Sequence, residues 1–411
     1  MTFYLAERRF CRNNSISCVK YAGTAEASRL NVHHGLKTAI MKNHPISAEL
    51  KELLDTRDEL CVSVIIPMNE IPSMRKLDKI TIDHAIDKLQ KILEQDHSVN
   101  VVSEFITRFR SLESDLMSIS GVKGVGIFAS KSVFRIITFP FEVQEKIYAG
   151  DSFEVRDVLY RDQFSVPYKV IALTLDRVRL FSGTGGTLTE VVDSHFPATL
   201  SEPEQEIPGY SGGSANLAAA TKREMILTME SRQAFLKAVD KKFQMYVQHG
   251  EPVFVAGVEK EVAAFESLTV HRERIRGRIP GSYNGYNHNE LALKSWHCMQ
   301  QFMQDEETIL ITSLNELFGK ELVSIGLPDV WRNAKLGKGS MLVVEKDLAQ
   351  PAFLTGDGFQ LWTSAPAEEH QLLSDAIDDL IEVVLSMDGK VHFVENGKLK
   401  EFNGVAMVHR Y

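Results

Sequence analysis

Apolar residues recur at three- and four-residue steps in two long stretches of the first third of the chain. The first runs through Leu77, Ile80, Ala85, Ile86, Leu89, Ile92 and Leu93, the second through Val101, Val102, Phe105, Ile106, Phe109, Leu112 and Leu116. That period is the one-sided stripe of an amphipathic helix, so two long helices are predicted. Ahead of them, Ile46, Leu50, Leu53 and Leu54 mark a shorter helix, and the apolar run Cys61-Val-Ser-Val-Ile-Ile-Pro67 reads as a buried strand that Pro67 ends. Gly124–Ala129 and Val133–Phe139, joined by the polar turn Ser130-Lys131-Ser132, read as a strand pair. Together these make an α/β unit up to about residue 156.

The pattern then changes to period two. Tyr168–Leu175, Val178–Phe181 and Thr187–Val192 are separated by turns at Asp176-Arg177 and Gly183–Gly186, which predicts three antiparallel strands on turns of hairpin length. A polar stretch over 194–210 ends in Gly209-Tyr-Ser-Gly-Gly-Ser214 and launches a helix that runs towards Gly250. The strand Pro252–Ala256 and a helix near 259–266 follow. Three strands, a loop, a long helix, a strand and a helix are the element order of an RNase H-like domain. Beyond the turn-rich 281–288, a helix from Asn289 to about 318 opens a third region. There short strands (340–345, 391–394, 405–409) alternate with helices such as 374–386, as in a compact α/β/α domain. The expected class is α/β (α+β) and multidomain: a basic arm over 1–40, an N-terminal α/β domain over 41–156, an RNase H-like middle domain over 157–285 and an acidic α/β/α domain over 286–411.

Composition adds three constraints. No apolar run approaches the roughly 18 residues of a membrane span, so no membrane association is expected. The first 40 residues carry Arg8, Arg9, Arg12, Lys20, Arg29 and Lys37 against two acids and lack a continuous apolar segment, the signature of a disordered arm or of an upstream start rather than of a secretory signal. Cys11, Cys18, Cys61 and Cys298 have no metal-binding spacing and fit a reducing, cytoplasmic compartment. Charge is informative by position. Residues 1–300 hold 37 basic and 37 acidic side chains and residues 301–411 hold 9 and 18, so the whole net charge of −9 lies at the C-terminal end. RNA contact is expected from the first two-thirds and protein contact from the acidic end.

Four segments could carry chemistry. Gly212-Gly213 allows close backbone approach and positive φ, with Ser214 placed to cap the following helix; a plain loop and cap is the ordinary alternative. That helix carries Lys222, Arg223, Arg232, Lys237, Lys241 and Lys242 against three acids. His271, Arg272, Arg274, Arg276 and Arg278 alternate with other residues, so an extended segment would put four guanidiniums on one side, suited to bidentate phosphate contacts; a solvated strand face has the same pattern. Tyr283, Asn284, Tyr286, Asn287 and His288 could stack on unpaired bases or simply start a helix. Asp375, Asp378, Asp379 and Glu382 fall at helical spacing and read as a solvated acidic face. No Walker loop, nucleophile elbow, zinc-protease helix or dinucleotide fingerprint occurs, and no metal or cofactor is expected.

Taken in order, several of these segments resemble the bacterial archaeo-eukaryotic release-factor-like family, relatives of Pelota and of the class-1 release factors. They are Cys61–Pro67, Gly126-Ile-Phe-Ala-Ser130, the hairpin Val170–Gly183, the glycine loop before the long helix, Asp388-Gly-Lys-Val391 and the terminal Gly404–Tyr411. The resemblance covers about 45–411 and implies a Pelota-like C-terminal domain. In catalytic members of the wider family a Gly-Gly-Gln loop enters the peptidyl-transferase centre. Here the matching positions are Gly212-Gly213-Ser214, and serine presents a short hydroxyl where glutamine presents a carboxamide. The resemblance therefore implies a ribosome-binding factor that fills the A site of inactive ribosomes without catalysing peptide release, and is a monomer when free. The rRNA-facing residues are expected to be Gly212, Gly213, Ser214, Lys222, Arg223, Arg272, Arg274, Arg276 and Arg278, and EF-Tu is a candidate partner of the C-terminal domain. The alternatives are a rescue factor that hydrolyses peptidyl-tRNA and an RNA-binding protein that never meets a ribosome.

Overall fold

The computed structural model describes residues 46–69, 75–119, 121–200, 214–248, 250–283 and 288–410, with the side chains of 75 and 214–228 outside the description. The expected arm over 1–40, with Cys11 and Cys18, also lies outside the described residues.

Helix α1 (Ala48–Asp55) starts where the Ser47 hydroxyl accepts the Leu50 N–H at 3.1 Å. Strand β1 (Cys61–Pro67) is buried at all but its last residue, as its unbroken apolar run requires. Helix α2 (Arg75–Asp96) follows. The second helical stripe is split at Leu112 into α3 (Val99–Ser111) and α4 (Glu113–Ser118), where the Ser111 hydroxyl donates to the Arg108 carbonyl at 2.7 Å. Strands β2 (Gly124–Ala129), β3 (Phe134–Phe139) and β4 (Lys146–Gly150) complete an antiparallel sheet of order β3-β2-β1-β4. On one face of β1, Val62, Val64 and Ile66 meet Ile82, Leu89 and Phe109 from the helices; on the other, Cys61 and Ile65 meet Leu50, Leu53 and Phe128. Helix α5 (Arg156–Phe164) closes this region.

Strands β5 (Pro167–Leu173), β6 (Arg177–Thr184) and β7 (Thr187–Val191) form the expected antiparallel meander, with the short β8 (Ala198–Thr199) returning beside β6. Helix α6 (Ser214–Phe243), strand β9 (Val253–Gly257), helix α7 (Glu259–Leu268) and strand β10 (Ile275–Pro280) complete the domain. Strand β9 runs parallel to β5 and β10 parallel to β9, giving the RNase H-like order β10-β9-β5-β6-β7. Leu236, Val239 and Phe243 of α6 and Val262 and Phe265 of α7 cover one face; Leu291, Cys298 and Met299 of α8 (His288–Phe318) cover the other.

The third sheet has the order β11-β17-β12-β16, from β11 (Val323–Ile325), β12 (Gly339–Glu345), β16 (Lys390–Val394) and β17 (Val405–His409). Helix α9 (Leu327–Lys335) and helix α10 (Ala376–Ser386) pack Val330, Trp331, Leu380 and Ile381 against Leu342 and Val344. Between β12 and α10 the chain folds a separate small sheet of order β14-β13-β15, from β13 (Ala352–Thr355), β14 (Leu361–Trp362) and β15 (His370–Leu373). Among the described residues, no helix is long and apolar enough to cross a membrane.

By contacts, the described residues fall into two compact units: Ser165–Leu310, and Asn43–Phe164 with Ile311–Tyr411. Helix α5, most of whose residues fall within the bounds expected for the middle domain, belongs to the second unit. Its Tyr160 ring lies edge-on to Phe393 of β16 at 5.8 Å, and the Gln163 carboxamide donates to the Phe393 carbonyl at 2.7 Å and accepts its N–H at 2.8 Å.

Candidate nucleic-acid interface

Of the residues expected to face RNA, Gly212 and Gly213 lie outside the described residues, as do the side chains of Ser214, Lys222 and Arg223. Asn284, Tyr286 and Asn287 of the aromatic loop lie outside them too. Residues 193–196, ahead of the glycine loop, are bonded to the turn after α6. Asp193, just beyond β7, accepts the Tyr246 hydroxyl at 2.5 Å and the N–H groups of His195 and Phe196 at 2.8 and 3.0 Å. That shared proton holds Asp193 below the usual carboxylate range and pushes the Tyr246 phenol up to about 12, since its loss would put two anions side by side. The turn after α6 is thereby tied to the connection that leads towards the glycine loop.

The arginine run is not one extended strand. Arg272–Arg274 forms a single 3-10 turn, and extension begins at Ile275. The cause lies on α6: Asp240 accepts the Thr269 hydroxyl at 2.5 Å and the Val270 N–H at 3.1 Å, while Thr269 Oγ1 accepts the His271 N–H at 3.0 Å. These bonds turn the chain before the strand can start. Inside the strand the register with β9 shifts between Ile275 and Gly277, which leaves Arg276 at a bulge. Four guanidiniums therefore do not share one strand face, and Arg276 and Arg278 part at the bulge: Arg276 reaches Phe302 of α8 on one face of the sheet and Arg278 reaches Glu259 and Glu266 of α7 on the other.

Each arginine has its own surroundings. Arg278 donates through Nε and Nη2 to Glu266 at 2.8 and 2.6 Å and through Nη1 to Glu259 at 3.0 Å. The Glu266 side chain is 4% exposed, so this bidentate pair is a structural tie that a phosphate would have to break. Arg274 Nη1 donates to the carbonyls of Val247 and Gln248 at 3.3 and 3.4 Å, closing the turn after α6. Arg276 is exposed, its guanidinium 5.6 Å from the centre of the Phe302 ring, and Arg272 is exposed as well.

Helix α6 contributes a second basic element. Its exposed positions Gln233, Lys237, Lys241 and Gln244 are spaced by four, four and three, which is one face of a helix. Arg232 is not part of it, being bonded to the Thr174 carbonyl and to Glu261. Among the described side chains of these two elements, Lys237 and Lys241 on the helix, Arg272 in the 3-10 turn and Arg276 in β10 are exposed.

Two other expectations change. Tyr283 is 2% exposed, its ring in the core and its hydroxyl donating to the Pro280 carbonyl at 3.1 Å, so it is not available to stack on a base. His288 lies 3.0 Å from the Leu188 carbonyl at the start of α8. The acidic stretch on α10 is not simply a solvated face. Asp375 caps the helix by accepting the Ile377 N–H, and Asp375 and Asp378 hold the buried Arg156 at 2.8 and 2.5 Å. Among the described residues, no group of three or more His, Cys, Asp or Glu side chains could hold a metal ion. The sequence reading missed the part of Asp240, although a carboxylate inside the stripe Leu236, Val239, Phe243 is a signal in itself, since unpaired acids are almost never buried.

Residues 167–338 match the family model of bacterial archaeo-eukaryotic release factor family 3. Over this segment the chain is similar to that family. It contains the whole RNase H-like sheet, α6, and both basic elements. No curated protein sequence matches the chain. Among solved structures the chain is similar to a model of ribosome-bound archaeal Pelota with ABCE1, at 11% identity and TM-score 0.38, covering 88% of this chain and 93% of that one. It is similar to Saccharomyces cerevisiae Dom34, at 12% identity and TM-score 0.37, covering 74% and 78%. It is also similar to Archaeoglobus fulgidus Pelota, at 13% identity and TM-score 0.34, covering 70% and 79%.

Proposed function

We propose that this protein is a ribosome-associated translation factor that occupies the A site of inactive ribosomes and does not catalyse peptide release. The observation that carries the reading is the release-factor family match over 167–338, which contains Gly212-Gly213-Ser214, the tripeptide that the resemblance sets against the Gly-Gly-Gln of catalytic relatives. Occupying a site takes shape and phosphate contacts, whereas release takes a group of the right reach to place a water, and the serine hydroxyl lacks that reach. Within the family this description resembles the hibernation factor Balon. Lys237, Lys241, Arg272 and Arg276 would meet rRNA, together with the glycine loop and the helix start bearing Lys222 and Arg223. The acidic C-terminal quarter would meet protein, with EF-Tu as a candidate. The protein would be cytoplasmic.

Two measurements test this. Co-sedimentation with ribosomes from stationary-phase or cold-shocked cells, followed by cryo-EM of the fraction holding the protein, is expected to show density in the A site of particles without a translated message. Absence from every ribosomal fraction would overturn the reading. A peptidyl-tRNA release assay is expected to show no release above background; release that vanishes on Gly213→Trp would instead identify a rescue factor.

A further inference from the structure

The small sheet β14-β13-β15 has two unlike faces. Inward, Ala352, Leu361 and Leu373 are buried in the core beneath α9 and α10. Outward, Phe353 lies directly across from Trp362 on one neighbouring strand and from Leu372 on the other, so the three side chains form one row across the sheet. Trp362 is 45% exposed and Leu372 60%, and the Phe353 ring takes the His370 imidazole edge-on at 5.1 Å. Cross-strand packing between large side chains stabilises a sheet far less than full burial of such side chains would. The row thus leaves much of the Trp362 and Leu372 surface unused by the fold, with Trp362 of a residue type that anchors interfaces.

The charges carried by the sheet's own segment are of one sign. Between Pro351 and Leu373 the charged side chains are Asp357, Glu368 and Glu369, all exposed on the two connections of the sheet, with no lysine or arginine. An apolar row set among acids repels phosphate and complements a surface that presents apolar side chains among lysines and arginines. We propose that the Trp362–Phe353–Leu372 row is a docking surface for a protein partner whose contacting segment is basic and apolar. The inference does not depend on the ribosome reading, since it names the partner by charge and polarity alone.

Photo-crosslinking in cells tests it, with a benzophenone amino acid in place of Trp362 in the full-length chain and the same amino acid in place of the exposed Glu401 as a control. The expected result is an adduct specific to position 362, with a protein whose crosslinked peptide is rich in Lys and Arg. Adduct yield is expected to fall by about tenfold or more on Glu368→Lys with Glu369→Lys, since like charges facing each other cost at least that much. The same drop is expected for Phe353→Ser with Leu372→Ser, provided thermal unfolding confirms that the variant folds. An adduct with RNA, an adduct with an acidic peptide, equal yield in the charge-reversed variant, or no adduct at 362 would each overturn the proposal. Co-sedimentation with ribosomes is read separately: loss of it with the adduct intact would sink the ribosome reading and leave the docking surface standing.

Discussion

Arg156 is 4% exposed, and its guanidinium is held by Asp375 at 2.8 Å, Asp378 at 2.5 Å and the Leu348 carbonyl at 2.8 Å. Glu154, with Lys146 at 3.9 Å, and Asp157, with Lys146 at 2.9 Å, complete the charges around it. Arg156→Met removes the cation and leaves the Asp375 carboxylate and the Asp378 carboxyl without their partner. A broken buried pair costs roughly 3–5 kcal/mol, so this unit is expected to melt well below wild type, while the isolated surface pair of Arg57 and Glu382 can be removed with little effect. Asp378 adds a pH dependence. Burial, followed by the hydrogen bond and charge of Glu154, pushes it up to about 8 from 3.8, against the pull of Arg156. The folded state then binds a proton that the unfolded state has already lost, so stability from this group is fully present at low pH and drains away as pH rises towards about 8. Asp378→Asn, which cannot ionise, is expected to melt higher than wild type at pH 8 and to converge with it on acidification. A melting difference that grows towards acid would show that the sign is wrong.

Helix α5 shows what an element contributes and why it was hard to see. Strand β16 is an edge strand, and the Gln163 carboxamide pairs with both backbone groups of Phe393 as a further strand would. Gln163→Ala leaves those two groups without that partner and is expected to cost about 1–3 kcal/mol in denaturant unfolding. Faster hydrogen exchange at the Phe393 amide would place the loss there, and unchanged exchange would refute the edge-capping role. The sequence predicted no helix here because α5 is buried on two sides: Val158 faces the core of the first sheet and Tyr160 that of the third, so no one-sided stripe forms. Long elements with a single apolar face, α2 and α8, and strands buried on both faces, β1 and β9, were legible for the opposite reason. The small sheet was illegible because strands of two to four residues give no measurable period. Of the candidate site, the basic face of α6 was visible in composition. The arginine run was misread because its alternation assumed extension, whereas Asp240 and Thr269, from outside the run, bend it before Ile275.

At the scale of the whole molecule, a chain of net charge −9 can hold RNA only through local basic surface, because its long-range field repels phosphate. The described candidates differ in kind. Lys237, Lys241 and Arg276 are exposed, so reversing their charge should leave folding intact, whereas Arg278 compensates the buried Glu266 and the exposed Glu259. Lys237→Glu with Lys241→Glu is expected to weaken ribosome binding with melting unchanged. If both lysines contact phosphate, the slope of log affinity against log salt should flatten by about one for each lost contact. Arg278→Ala is expected to do the reverse: melting falls, because Glu266 keeps its charge without its bidentate partner, and the salt slope measured below the melting transition stays the same. Sedimentation of each variant with purified ribosomes across a salt series separates the two effects. A wild-type slope in the double lysine variant would move the rRNA contact away from α6, and a flattened slope for Arg278→Ala would mean that this arginine exchanges its carboxylates for phosphate on binding.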